Sequence, residues 1–185
     1  MEDISLDVIR KASEGDVDAF EAVFRKYADY IFNIALRATH NQEDAQEITQ
    51  EVFVSVHHNL GRFRFESGFK TWIYRIAVNM TINYLKKESK HRDVVDYDDA
   101  AGVPWVRPEI YGRADQEHHE FLVNKLLRAL TPEQRVCVIL RNIEGLTYEE
   151  IAQELGVNMN TVRSRLKRAR EKLISLGKEA SAYEL

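Results

Sequence analysis

A chain of 185 residues with 44% hydrophobic and 30% charged residues can bury a core, and its length suits one ordinary domain or two small ones. Three prolines and eight glycines are too few for the turns of a β-sandwich or barrel, so a mostly helical protein is expected. The single cysteine, Cys137, excludes an internal disulfide framework. No Cys/His spacing suggests zinc, and no apolar run reaches membrane-spanning length. The acidic N-terminus lacks the basic-then-apolar order of a signal peptide, so a cytosolic protein without a cofactor or small-molecule substrate is expected.

The net charge of −4 is unevenly placed: residues 1–60 carry −7, 61–92 carry +6, 93–120 carry −6 and 121–185 carry +3. Two basic blocks separated by acidic ones suggest two surfaces for an anionic polymer, although solvated helix faces would give the same count.

In chain order, Gly15 ends a short first helix and Asp16 caps a longer one, whose stripe is Phe20, Val23, Phe24, Tyr27, Ile31, Ile34 and Ala35. Asn41 caps the next, with Ala45, Ile48, Val52 and Val56 inward and Glu43, Asp44, Glu47, Gln50 and Glu51 on the other face. Gly61 ends it, and 62–68 reads as a loop. A third long helix runs from about Phe69 to Lys87, burying Trp72, Ile73, Ile76, Ala77 and Met80. Residues 1–92 thus form a helical bundle. Periodicity then disappears, and 93–115 reads as a flexible acidic linker.

The second domain, 116–185, opens with Val123, Leu126, Leu127 and Leu130 at helical spacing. Thr131-Pro132-Glu133-Gln134 is a capping box with proline at the first helical position, and Val136, Ile139, Leu140 and Ile143 line the helix up to Gly145. Thr147-Tyr148-Glu149-Glu150 is a second capping box, followed by Ile151, Ala152, Leu155 and the turn residue Gly156. Asn158 caps a final helix with Val162, Leu166, Ala169 and Leu173 inward. The architecture expected is all-α, two small helical domains joined by the linker.

Residues 147–173 form a helix-turn-helix pattern, with Arg163, Ser164, Arg165, Lys167, Arg168 and Arg170 outward on the second helix. A cationic helix alone is compatible with simple solvation. Preceded by a capped helix and a small-residue turn, it points to duplex DNA, where guanidinium groups reach guanine edges or phosphates. The second basic block, Arg62-Phe63-Arg64-Phe65, interleaves cations and aromatics as single-strand binders do, though such aromatics often belong to a core. Arg75, Asn79 and Lys86 fall on one side of the helix that follows it. His57-His58 and His118-His119 are adjacent pairs unsuited to sharing a helix face as ligands, and neither a nucleophile constellation nor a phosphate loop accompanies them.

Phe69-Lys70-Thr71-Trp72-Ile73-Tyr74-Arg75-Ile76-Ala77-Val78-Asn79, followed by Asn83-Tyr84-Leu85, resembles the promoter-melting segment of extracytoplasmic-function sigma factors, the small two-domain group of the sigma-70 superfamily. Asp44–Phe53 is similar to that family's core-polymerase-binding helix. Leu146–Ala152 with Thr161–Leu166 and Arg168-Ala169-Arg170 is similar to its C-terminal helix-turn-helix. The resemblance implies polymerase binding through Asp44, Glu47, Gln50, Glu51 and Phe53. It implies minus-ten recognition and melting through Arg62, Phe63, Arg64, Phe65, Trp72, Arg75 and Asn79. It implies minus-thirty-five recognition through Arg141, Arg163, Ser164, Arg165, Lys167 and Arg168. Core RNA polymerase, promoter DNA and an anti-sigma factor, often membrane-tethered, are the implied partners. A helix-turn-helix regulator that never joins polymerase would explain the second domain, but not the loop 62–68 or the face from Asp44 to Glu51.

Overall fold

Side chains placed just before the helices start most of them. In the computed structural model, which describes residues 4–63, 68–92, 123 and 125–182, every regular element among the described residues is helical. Ser5 Oγ accepts from the Val8 amide at the start of α1 (Leu6–Ser13). Asp16 accepts from the Ala19 amide at 2.8 Å to start α2 (Val17–Thr39), and Asn41 accepts from the Glu43 and Asp44 amides to start α3 (Gln42–Leu60). α4 spans Phe69–Arg92, running past its expected end at Lys87. In the second half, Thr131 with Gln134 and Thr147 with Glu150 form complete capping boxes for α5 (Pro132–Asn142) and α6 (Tyr148–Leu155). Asn158 accepts from the Thr161 amide at 2.8 Å at the head of α7 (Met159–Ala182). Each such cap satisfies amides that have no helical partner and stabilises its helix by about 1 kcal/mol.

α1 to α4 share one core. Val23, Tyr27, Ile31, Ala45, Ile48, Val52, Val56, Ile73 and Ala77 are buried in it, as the stripes of α2 and α3 predict. The region expected to be a linker, 93–115, lies outside the described residues.

The second core is not confined to the second domain. Val136, Ile139, Leu140, Ile151, Val162 and Ala169 pack together with Ile34 and Ala38 of α2 and with Val78, Ile82 and Leu85 of α4. α4 lies against α6 and α5, and the C-terminal half of α2 against α5. The expected stripe of α4 is therefore only half of its buried surface. Ile73 and Ala77 are buried, Trp72, Ile76 and Met80 are half-buried, and Tyr74, Val78, Ile82 and Leu85 form a second buried stripe. A helix gripped from two sides buries two stripes, which removes the one-sided pattern that sequence reading relies on.

Candidate nucleic-acid interface

The turn between α6 and α7 is set by Gly156, whose φ of +65° is open to glycine at little cost. Its amide and that of Val157 bond back to carbonyls of the last turn of α6, closing that helix. α7 then buries Val162, Leu166 and Ala169 and exposes Arg163, Ser164, Lys167, Arg168 and Arg170. Arg163 donates to Asn160 Oδ1 at 3.3 Å, Ser164 Oγ donates to the Thr161 carbonyl at 2.9 Å, and Lys167 lies 3.8 Å from Glu171. Contacts this exposed are weak, so these side chains can exchange them for DNA. Arg165 departs from the expectation. It is half-buried and turned toward α5, where it interacts with Cys137 and with Glu133, so it ties α7 to α5 from behind the exposed row. Arg141 is exposed, donates to the Leu146 carbonyl at 2.8 Å and lies over the Tyr148 ring at 5.3 Å, tying the end of α5 to the start of α6.

Cys137 is fully buried, and burial pushes its thiol up to about 11, leaving it an inert core group. Among the described residues no group of His, Cys, Asp and Glu could hold a metal ion.

At the head of α4, Phe63 packs edgewise on Phe69 at 5.4 Å and tilted against Trp72 at 5.2 Å. Both Phe63 and Trp72 are half-buried, so each keeps an accessible edge while its ring is fixed by the others. Arg62 is exposed, and Arg64 and Phe65 lie outside the described residues. Arg75 and Asn79 stand one turn apart on the exposed flank of α4. Arg75 is already engaged: its Nε and Nη2 donate to the Gln153 carbonyl at 3.2 and 2.9 Å.

The α3 face exposes Glu47, Gln50 and Glu51, with Val54 (57% exposed) and Phe24 of α2 (43%) beside them, a mixed acidic and apolar surface. Phe53 is not part of it. That ring is 5% exposed and packs against Phe20 and Phe24, so it underlies the face and does not form it. Asp44 is half-buried and hydrogen-bonded to Tyr84 of α4. Burial first, and then that bond, push the Tyr84 hydroxyl well above the usual tyrosine range. Tyr84 lies within the motif 69–85, and its hydroxyl fixes Asp44.

Two titratable groups, Glu154 buried and His40 half-buried, lie where the domains meet. Glu154 of α6 is 7% exposed with its Oε2 unsatisfied, and burial raises its carboxyl to about 7. His40, in the left-handed conformation at the end of α2, has an unsatisfied Nε2 and is lowered to about 4 by burial and then by Arg128 and Arg135. Nothing in the spacing of either residue marks it as interfacial.

The family described as Sigma-70 region 2 matches residues 23–91, and Sigma-70, region 4 matches residues 121–173. The RNA polymerase sigma-H factor of Pseudomonas aeruginosa is 34% identical over 173 residues, covering 89% of this chain and 89% of that protein. The ECF RNA polymerase sigma-E factor of Escherichia coli is 30% identical over 171 residues, again with 89% of each covered. Among solved structures, CnrH in complex with the cytosolic domain of CnrY aligns with a TM-score of 0.64 at 23% identity, over 94% of this chain and 96% of that one. RpoE in complex with the anti-sigma factor NepR, from Bartonella quintana, aligns with a TM-score of 0.60 at 23% identity, over 88% and 98%. At that identity the two structures speak for the fold alone.

Proposed function

From the premise that this chain belongs to the extracytoplasmic-function sigma factors of RNA polymerase, we propose that it directs core polymerase to stress-response promoters and opens their minus-ten element. Residues 1–92 bind core polymerase and the minus-ten element, 93–115 connect, and 116–185 bind the minus-thirty-five element. The observation that carries this reading is that one chain holds two separate cationic surfaces and one acidic one. The exposed row Arg163, Ser164, Lys167 and Arg168 follows a fully capped helix, as major-groove readers do. Arg62, Phe63 and Trp72 at the head of α4, with Arg75 and Asn79 further along its exposed flank, supply aromatic edges, cations and an amide, the chemistry that unpaired bases require. Asp44, Glu47, Gln50 and Glu51, with Val54 and Phe24, give a face that phosphate would repel and a protein can cover.

The protein acts in the cytoplasm, where polymerase and promoter are; no helix among the described residues is long and apolar enough to cross a membrane. An inhibitory protein of the anti-sigma type is the further partner that membership of this family implies. The test is transcription in vitro with core polymerase and a library of random promoters. The expected result is initiation only when the chain is added, from templates sharing two short elements at fixed spacing. Enrichment of a bound duplex sequence without initiation would leave a helix-turn-helix regulator.

A further inference from the structure

The apolar seat of the recognition helix holds α7 down without fixing its rotation. Val162, Leu166 and Ala169 of α7 share a core with Val136, Ile139 and Leu140 of α5. Burial of aliphatic side chains is non-directional, so such a seat resists separation more than rolling. Arg165 supplies a directional contact. Glu133 and Cys137 stand four residues apart on one face of α5, and Arg165 reaches both: Cys137 Sγ accepts from its guanidinium, and the Glu133 carboxylate is its counter-charge. Arg165 is thereby drawn inward, while Arg163, Ser164, Lys167 and Arg168 stay exposed. Glu133 is a firm anchor for it. It lies in the first turn of α5, where the helix dipole favours an anion. Burial works against its charge, but Lys86 at 2.6 Å, its own backbone amide and Arg165 outweigh that and hold the carboxyl below the usual carboxylate range.

Small rolls of α7 matter at its outer face. A helix with its side chains has a radius of about 6 Å, so a roll of about 20° moves the outward tips by about 2 Å. A bidentate contact to a base edge tolerates less, because its N–H···O distances span only about 2.7–3.2 Å. Resting on the reading of α7 as the minus-thirty-five reader, we propose that Glu133 is a positioning residue for DNA recognition: through Arg165 its carboxylate fixes the rotation of α7, and so the angle at which Arg163, Ser164, Lys167 and Arg168 meet the major groove. Arg165 then leaves the row of DNA contacts and becomes the link between the anchor and that row. The sign of the Glu133 charge separates two outcomes. Electrostatics alone tightens DNA binding when a carboxylate near a DNA-binding helix is removed. Loss of an anchor makes binding weaker and less selective.

The test uses holoenzyme assembled from core polymerase and the full chain, with promoter duplexes that carry either the selected minus-thirty-five element or a scrambled one. The ratio of the two affinities is read by competition band shift. Glu133→Gln and Arg165→Gln should each lower that ratio by roughly fivefold or more, and the double glutamine variant should lower it no further, as for two members of one contact. Glu133 also meets Lys86, so only the loss that both single variants share belongs to the Arg165 contact. The slope of log affinity against log salt should stay unchanged in Arg165→Gln, whereas a lost phosphate contact would reduce it by about 1. Exchanging the charges, Glu133→Arg with Arg165→Glu, should recover most of the ratio although it places a carboxylate on the recognition helix. An unchanged or raised ratio in Glu133→Gln, independent losses that multiply in the double glutamine variant, or a reduced salt slope in Arg165→Gln overturns the proposal. If the exchanged variant does not fold, the near-isosteric glutamine variants carry the same comparison. A native chain with no preference between the two duplexes overturns the reading of α7 and the proposal with it; a native preference that Glu133→Gln leaves intact overturns the proposal alone.

Discussion

Replacing Glu154 with glutamine should remove a pH dependence that the fold carries at its domain contact. The carboxyl is held by burial against α2 and α4, with Tyr30 nearby; Lys70 partly offsets the cost of ionising it, while Glu150 and Glu144 add to that cost. Its value rises from an ordinary 4.5 to about 7. Below about 4.5 the group is protonated whether the chain is folded or not, and it costs nothing. As pH rises from there toward 7 the unfolded chain ionises first, so folding stability falls, and above 7 the loss is complete. The full span corresponds to at most about 3 kcal/mol, which relaxation and water entry reduce to roughly 1–2 kcal/mol. The assay is urea unfolding of both proteins at pH 5 and pH 8. The variant should gain roughly 1–2 kcal/mol on the native protein between the two conditions. Comparing the two proteins cancels the other histidines and carboxylates, His40 among them, which acts in the opposite sense: its depressed value costs stability as pH falls below about 6.5. Parallel pH profiles for the two proteins would refute the burial argument.

Ile82→Ala deletes a side chain that is 6% exposed in the core shared by both domains, and should cost about 2–4 kcal/mol in the same unfolding assay. A loss below about 1 kcal/mol would mean that α4 and the second domain do not share that core. Arg168→Ala should relax base preference at one or two positions of the minus-thirty-five element and cost about 1–3 kcal/mol in band-shift assays. A uniform loss over all sequences, with a shallower salt dependence, would make it a phosphate contact. Alanine at Gln50 and Glu51 together should weaken capture by core polymerase in a pull-down while leaving duplex binding unchanged; undiminished capture would remove that face from the polymerase contact.

What could be read from the sequence was what short range decides. The caps Asp16, Asn41, Thr131, Thr147 and Asn158 stand where their helices begin, because each cap bonds amides two or three residues on. The inward stripes of α2, α3 and α7 follow for the same reason, because helical phase alone sets them, with Phe24 of α2 the exception at 43% exposed. α4 defeated that logic. Val78, Ile82 and Leu85 have helical spacing, but beside Ile73 and Ala77 they spread apolar residues around the helix, and only the second domain explains them. The site residues divide in the same way. Arg163, Ser164, Lys167 and Arg168 are exposed as helical phase requires. Arg165 and Phe53 stand at the margins of their stripes, where a neighbouring element draws the side chain inward: Glu133 and Cys137 for one, Phe20 and Phe24 for the other. The partners of Arg75, Arg37 and Lys86, and the Ala38 carbonyl that Arg135 reaches besides its near neighbours, are 47 to 107 residues away in the chain, so no local rule could pair them.

The central claim is that this chain gives core polymerase the ability to open a specific promoter, and one measurement addresses it most directly. A fluorescent base analogue is placed in the minus-ten element of a promoter selected from the library, and its unstacking is followed on mixing with core polymerase, with the chain, or with both. The fluorescence should rise only when core polymerase and chain are present together, and substitution of the minus-ten sequence should abolish the rise. No rise with the complete mixture, while the chain still binds the minus-thirty-five duplex, would contradict the account and leave a DNA-binding protein that does not initiate transcription.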